Sequence, residues 1–411
     1  MLGDFYQLPP VVPADTLYST VLAHHVFNTL RGHENQPLVD GAILFSKFEL
    51  IQLNIQERAA QDPEHCALIQ KLRDPSRLYP LTSEIVESFY SKIITPEDYR
   101  QDPSWGEATL VVTSHAEKEV LNYEQARRFA VKNGKVILRW RLKISGPHFE
   151  FMSEQEVEQL YQQEKGLWGY FVQDAPSFID ENIDPSKKVA NGTFVTMHSV
   201  TLDARDNSGA LAQRIQSSPA GTVIDLEREP LTINVKVPHS NPEKPTKWVE
   251  GEYLEIDSTT GVPVIAVGLR TTLEDVEIGP VGRLRASKVK TKRHRVELGF
   301  VVTFQKMQGL TVSKLILDLN ERPFQPRITL QGLYVGETRV KKGVDIRILP
   351  LQANKTLDYL KDLQRNRHLA AWLEGFGADG KWDPEKSREA LTRIEESDKE
   401  ETRKKNPKKK C

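Results

Sequence analysis

The chain has 411 residues, 38% of them hydrophobic and 27% charged, with 56 basic residues against 57 acidic ones. That content buries a core over two or three folding units. It leaves no run of about 20 apolar residues for a membrane helix, and the first residues lack the basic-then-apolar layout of a signal peptide. Two cysteines, Cys66 and Cys411, make no disulfide framework, so a reducing compartment is the expectation.

In chain order, Gly3-Asp4-Phe5-Tyr6-Gln7-Leu8-Pro9-Pro10 opens the sequence. Residues 16–30 then place Leu17, Val21, Leu22, Val26 and Leu30 near helical spacing. Residues 48–53 read as a short strand, and 64–72 as a helix that stops at Asp74-Pro75, because the residue before proline is pushed out of helical space. Thr109-Leu-Val-Val-Thr113 reads as a buried strand. It runs into Ser114-His-Ala-Glu117, a capping pattern that starts a helix carrying Val120, Leu121 and Ala126. Strand followed by helix is half of an α/β unit.

After about residue 190 the pattern becomes short, β-branched runs at 194–202, 222–226, 231–237 and 264–269, divided by Gly, Pro, Asn and Asp. The expectation is a small all-β module inserted into an α/β domain, whose apolar strands resume at 298–304, 314–319 and 344–349. The last segment before Arg339 reads as an apolar strand, 357–373 as a closing helix, and the charged tail as a loose helix or disorder. Two basic runs, Arg283 to Arg295 and Arg403 to Lys410, are able to meet phosphates. Trp140, flanked by Arg139 and Arg141, is a candidate for stacking a base.

Four separated segments carry the chemistry. They are the opening run through Gln7, Leu53-Asn-Ile-Gln-Glu-Arg58, Thr303-Phe-Gln-Lys306-Met-Gln308-Gly309-Leu-Thr311, and Tyr334-Val-Gly-Glu-Thr338-Arg339-Val340. In order and content they resemble the Pif-type DNA helicases, superfamily 1 motors of the 5′-to-3′ class. Val111-Val-Thr-Ser-His-Ala and the turn at Asn191-Gly192 also fall where that family has a second-domain strand and an Asn-Gly turn. The resemblance spans about residues 1 to 350. It departs from the family pattern at Gln305, where histidine is usual, at Phe304 and Met307, and in Gly-Glu-Thr338 where Ala-Leu-Ser is commoner.

The resemblance implies an α/β fold. A partial first RecA-like domain (1–48) precedes a second RecA-like domain of the P-loop-NTPase type (49–193 and 296–350). A small Src-homology-type barrel is inserted at 194–295, with a helical extension at 351–382 and a charged, disordered tail at 383–411. It implies ATP and Mg2+ as cofactors of the full-length family, single-stranded or forked DNA as partner, and residence in the nucleus or mitochondrion. Gln7 would sense the terminal phosphate, since an amide both donates and accepts. Arg58 and Arg339 would stabilise charge on the transferring group. Thr303, Lys306, Gln308, Gly309 and Thr311, with Asn191 and Gly192, would grip a sugar-phosphate chain without reading its sequence.

The family's P-loop is not among these residues. Gly375-Phe-Gly-Ala-Asp-Gly380-Lys381-Trp382 has the glycines and the lysine, but Trp382 stands where a hydroxyl must hold magnesium. This segment reads as a turn. The expectation is therefore the rear part of a helicase, without ATPase activity of its own, as an incomplete gene model or as a split product that needs an ATP-binding half. The alternatives are a catalytically dead strand-binding protein and a decayed mobile-element helicase.

Overall fold

Local sequence signals set most of the elements in the computed structural model, which describes residues 4–8, 16–30, 36–51, 56–74, 78–146, 149, 152–238, 246–280, 287–323 and 325–405. The chain opens with helices α1 (Leu17–His25), α2 (Gln36–Phe45), α3 (Pro63–Arg73), α4 (Ser83–Tyr90) and α5 (Pro96–Gln101). Thr16, Asp62, Thr82 and Thr95 cap four of them with side-chain oxygens, which satisfy amides that have no intrahelical partner.

The middle of the chain is strand-rich. It holds β1 (Thr109–Val112), α6 (His115–Lys132), β2 (Ile137–Arg141), β3 (Ile144–Ser145), α7 (Glu154–Gln163), β4 (Trp168–Phe171), β5 (Pro176–Ile179) and β6 (Phe194–Thr201). Then come α8 (Ser208–Ser217), β7 (Val223–Asp225), β8 (Thr232–Lys236), β9 (Glu255–Ile256), β10 (Pro263–Val267), β11 (Glu274–Ile278), β12 (Ser287–Thr291), β13 (Val296–Leu298) and β14 (Val301–Thr303). The chain continues through β15 (Leu315–Leu317), α9 (Leu330–Glu337), β16 (Ile346–Ile348), α10 (Arg367–Glu374) and α11 (Pro384–Lys405).

Two units divide these elements: Met1–Gly106 with Met307–Cys411, and Glu107–Lys306. In the first, β15 and β16 pair in parallel. An aromatic core forms where Trp372 of α10 stacks on Phe45 of α2 at 5.7 Å and meets Tyr18, Val21 and Leu22 of α1. In the second, β1 and β14 pair in parallel, and a six-stranded antiparallel sheet runs β13-β5-β6-β8-β10-β9. Its main core joins Ile137, Leu138 and Trp140 of β2 to Val195, Met197, Ile233, Val235 and Ile265 of that sheet.

Several expectations change. Residues 48–51 form no strand; the Leu50 amide bonds Gly380 O instead, and 52–55 lie outside the described residues. The run before Arg339 is helix α9, capped by Thr329. Its residues are buried on every side, and a continuous apolar run does not separate strand from helix by periodicity. Residues 357–373 split into a 3-10 turn at Asp358–Asp362 and helix α10, restarted by the Asn366 cap. The antiparallel sheet draws in β5 and β13 from outside 194–295. From inside that span β7 pairs in parallel with β2, and α8 is helical. The tail is ordered as α11 through Lys405, with Ser387, Ala390, Leu391 and Ile394 buried along one narrow stripe. Helix α6 turns Lys118, Asn122, Ala126 and Ala130 inward and leaves Val120 exposed.

Candidate functional site

In the first unit, stretches far apart in sequence meet around α9. Asp4 folds residues 4–7 into a turn, accepting from the Tyr6 amide at 3.1 Å through Oδ1, while the Gln7 amide bonds Asp4 O at 3.1 Å. The Tyr334 hydroxyl on α9 donates to Asp4 Oδ2 at 2.7 Å, and Gln308 Nε2 donates to Leu8 O at 3.1 Å. Tyr6 lies between two guanidiniums, Arg73 at 5.3 Å and Arg365 at 5.2 Å from its ring centre. Gln7, half-buried at the end of this turn, is thereby tied to the loop at 308–311 and to α9. Gly3, Pro9 and Pro10 lie outside the described residues.

Arg58 and Arg339 converge on the last turn of α9. Arg58 donates through Nη1 to Thr338 O at 2.6 Å and through Nε to Thr311 Oγ1 at 3.0 Å. Arg339 folds back over the helix end, donating through Nε to Val335 O at 2.9 Å, through Nη2 to Thr338 Oγ1 at 2.5 Å and through Nη1 to Leu310 O at 3.4 Å. The carbonyls at a helix C-terminus carry partial negative charge and attract cations. Arg339 is 3% exposed and caps the end of the helix. Burial first, and the neighbouring Arg58 charge second, push its guanidinium down to about 10; Arg58 is lowered chiefly by burial. Both stay charged at neutral pH. Among the described residues neither has a carboxylate ion-pair partner, and the Asp4 charge acts on Arg339 from further off.

The other candidates of this unit are partly committed inside it. Thr311 accepts from Arg58 yet keeps its own hydroxyl proton to donate. Gly309 has φ +81 and nothing within 4 Å of where a Cβ would stand, so its backbone is open to approach. The Gly375 to Trp382 segment is a turn, closed by Gly380 N to Gly377 O at 2.9 Å.

In the second unit the loop after β14 meets the Asn-Gly turn. Lys306 Nζ donates to Asn191 Oδ1 at 2.8 Å, to Asp180 Oδ1 at 2.7 Å and to Ile179 O at 3.3 Å, and lies 3.5 Å from Glu297 Oε1. Gly192, at φ +89, makes the turn that brings Asn191 there, its amide bonding Ile179 O at 2.8 Å. The Thr303 hydroxyl is buried and accepts from the Lys306 amide at 3.4 Å. Glu297 also holds Lys118, at 2.7 Å. Against a burial that works the other way, the Lys118 and Lys306 charges keep its carboxyl well below the usual carboxylate range. Burial lowers Lys306 itself. Sequence reasoning placed Lys306, Asn191 and Gly192 together but missed Asp180 and Glu297, which no local pattern marks.

Trp140 is 1% exposed and belongs to the core, because alternation along β2 sends it inward and its arginine neighbours outward. Of the basic run, 283–286 lie outside the described residues, and Arg293 is engaged inside by Glu119 at 2.9 Å. Among the described residues no group of three or more His, Cys, Asp or Glu side chains is placed to hold a metal ion.

No protein-family model and no curated protein matches the chain. Solved structures do. A Bacteroides Pif1 bound to single-stranded DNA matches with TM-score 0.50 and 15% identity over 93% of this chain and 68% of that one. The Pif1 helicase of Candida albicans matches with TM-score 0.43 and 16% identity over 89% of this chain and 66% of that one. A Bacteroides Pif1 in complex with ADP-AlF3 and single-stranded DNA matches with TM-score 0.46 and 17% identity over 89% and 64%. The first of these shows that the chain shares the α/β fold of a Pif1 structure over 68% of that chain's length.

Proposed function

We propose that this chain is the phosphate-responding and strand-gripping portion of an ATP-dependent, 5′-to-3′ DNA helicase of the Pif type. The observation that carries the reading is the meeting of Arg58 and Arg339 on Thr338, two cations without a carboxylate partner among the described residues, beside the turn that bears Gln7. Such a junction favours an anion whose charge changes. ATP fits this description, and its hydrolysis would reach α9 through Arg58. When bound, the nucleotide would supply the phosphoryl-transfer chemistry. The described residues offer no cluster of three or more His, Cys, Asp or Glu side chains that would hold magnesium. The antiparallel strands between 176 and 298 correspond in this reading to the family's inserted small barrel.

Single-stranded or forked DNA is the proposed partner; in the first unit the open backbone at Gly309 with Thr311 and Gln308 would meet it, and in the second unit Lys306 and Asn191 would. Each phosphate contact adds about 0.7 to the steepness with which affinity falls on a log scale of salt. Since no P-loop sequence is present among the 411 residues, the polypeptide alone is expected to hydrolyse no ATP and to need an ATP-holding half. A second reading, a strand-binding protein without turnover, gains support from Arg339, whose donors are occupied by the α9 carbonyls and Thr338.

The test is a filter-binding titration of single-stranded and forked DNA against salt, run beside an ATPase assay, with Lys306→Glu as the charge-reversed variant. Salt-sensitive binding lost in the variant supports strand gripping. Absence of any DNA binding sinks both readings, and ATP turnover by the pure polypeptide refutes the need for a second half.

A further inference from the structure

The face of β2 opposite Trp140 carries a course of alternating rings and cations that the gripping loops do not use. The pleat places Arg139 and Arg141 together on that face, and the antiparallel register sets Arg141 opposite Trp168 and Arg139 opposite Tyr170 on β4. The Arg139 guanidinium lies 3.9 Å over the Trp168 ring. Arg141 lies 4.9 Å over Tyr161 of α7 and 5.6 Å from Trp168. Further along, Tyr170 meets Tyr123 of α6 at 5.2 Å, and Lys165 sits 5.3 Å over the Tyr123 ring.

The two guanidiniums are held in place from the side. Asp225 takes Arg139 through both oxygens, at 2.6 and 2.8 Å, and Glu158 takes Arg141 at 2.5 Å. Each planar cation is fixed against a ring on its inner side. The Arg141 side chain is 48% exposed and that of Arg139 21%. A guanidinium plane fixed on an aromatic ring is a surface on which a nucleobase stacks, and the fixing removes the entropy cost of ordering a long side chain at the moment of binding.

We propose that this face is a base-stacking platform for single-stranded nucleic acid, with unpaired bases lying on the outer planes of Arg141 and Arg139 and the neighbouring cations meeting the phosphates. The proposal rests on the reading of the chain as a strand binder, but it assigns a second set of residues and a different chemistry. The gripping loops hold backbone, whereas this face holds bases. An isolated surface Arg-aromatic contact is ordinary. Here the contacts fall on one side of one strand pair and continue onto α6 and α7.

The test titrates the intact chain with an oligothymidylate of about 20 nucleotides and with the same backbone carrying abasic sites, by fluorescence anisotropy. The wild type is expected to prefer the base-bearing strand by about tenfold or more. The pair Arg139→Lys with Arg141→Lys, which keeps charge and removes the planes, is expected to lose most of that preference while holding its affinity for the abasic strand. Thermal unfolding checks that the variant is folded. Equal binding of the two oligomers by the wild type overturns the proposal without any variant, as does a folded lysine pair that keeps the full preference. No binding of either oligomer fails the strand-binding reading itself, and with it the platform.

Discussion

Tyr334 on α9 donates a hydrogen bond from its phenolic hydroxyl to Asp4 Oδ2 across 2.7 Å, joining residues 330 positions apart in the chain. Burial first, and the Asp4 carboxylate second, raise the Tyr334 phenol above its ordinary value, so the bond persists across the working pH range. Asp4 also closes the turn that presents Gln7. This one hydrogen bond therefore connects the opening segment to the helix on which both arginines converge. Tyr334→Phe should cost about 1.5–3 kcal/mol, the worth of a hydrogen bond to a charged acceptor, measured as a lower urea midpoint with unchanged slope. An unchanged midpoint would mean that the turn at Asp4 is held by other contacts.

Gly169 faces Trp140 across β4 and β2 so closely that an added Cβ would overlap the indole. Trp140 is a rigid ring buried in the core and not the far end of a flexible side chain. Gly169→Ala should destabilise the chain by about 1–3 kcal/mol or more through overpacking, although alanine ordinarily suits a strand better than glycine. Thermal or urea unfolding reads it directly, and a neutral result contradicts the packing described.

Two titrating groups near Trp140 have opposite signs. Burial raises the Glu229 carboxyl to about 7, with Lys143 opposing, from an ordinary value of 4.5. The folded chain therefore keeps a proton that the unfolded chain has released, and stability falls as pH climbs from 4.5 to 7. Burial lowers His294 to about 4 from 6.5, so its contribution is lost in the other direction, as pH drops from 6.5 towards 4. Glu229→Gln removes only the first effect. Relative to wild type it should gain roughly 1–2 kcal/mol between about pH 5 and about pH 7.5. Urea midpoints at the two pH values decide it, and equal shifts at both count against a buried proton on Glu229.

Leu391 is 7% exposed on α11, in a cluster with Ala370 and Ala371 of α10 and Ala390 and Ile394 of its own helix. Leu391→Ala should cost about 2–3 kcal/mol, the lower part of the range for a buried leucine because the site lies near the surface. A freely solvated tail would show no loss, so the unfolding midpoint of this variant tests whether α11 is packed against α10.

Much of the candidate site was legible because its residues carry chemistry in short, recognisable strings. Gly309 declared itself by its string, and the structure has it at φ +81. Asn191-Gly192 declared a turn, and Lys306 now bonds Asn191. The stripe Ser387, Ala390, Leu391, Ile394 was also readable at helical spacing, but high charge masked it. What could not be read was who neutralises whom. Asp180 and Glu297 come to Lys306 from β-strand neighbours more than a hundred residues away or on another strand, and nothing local marks them.

The sequence by itself determined the caps, the Asn-Gly turn, the strand at 109–112 and the order of the four segments, since each depends on a few neighbouring residues and on local sterics and hydrogen bonding. Only tertiary structure decided that the apolar run before Arg339 is a helix, that Arg339 folds onto its end, and that Trp140 is buried while Arg139 and Arg141 meet Trp168. Those outcomes depend on which surfaces are taken from water, and long-range packing sets that.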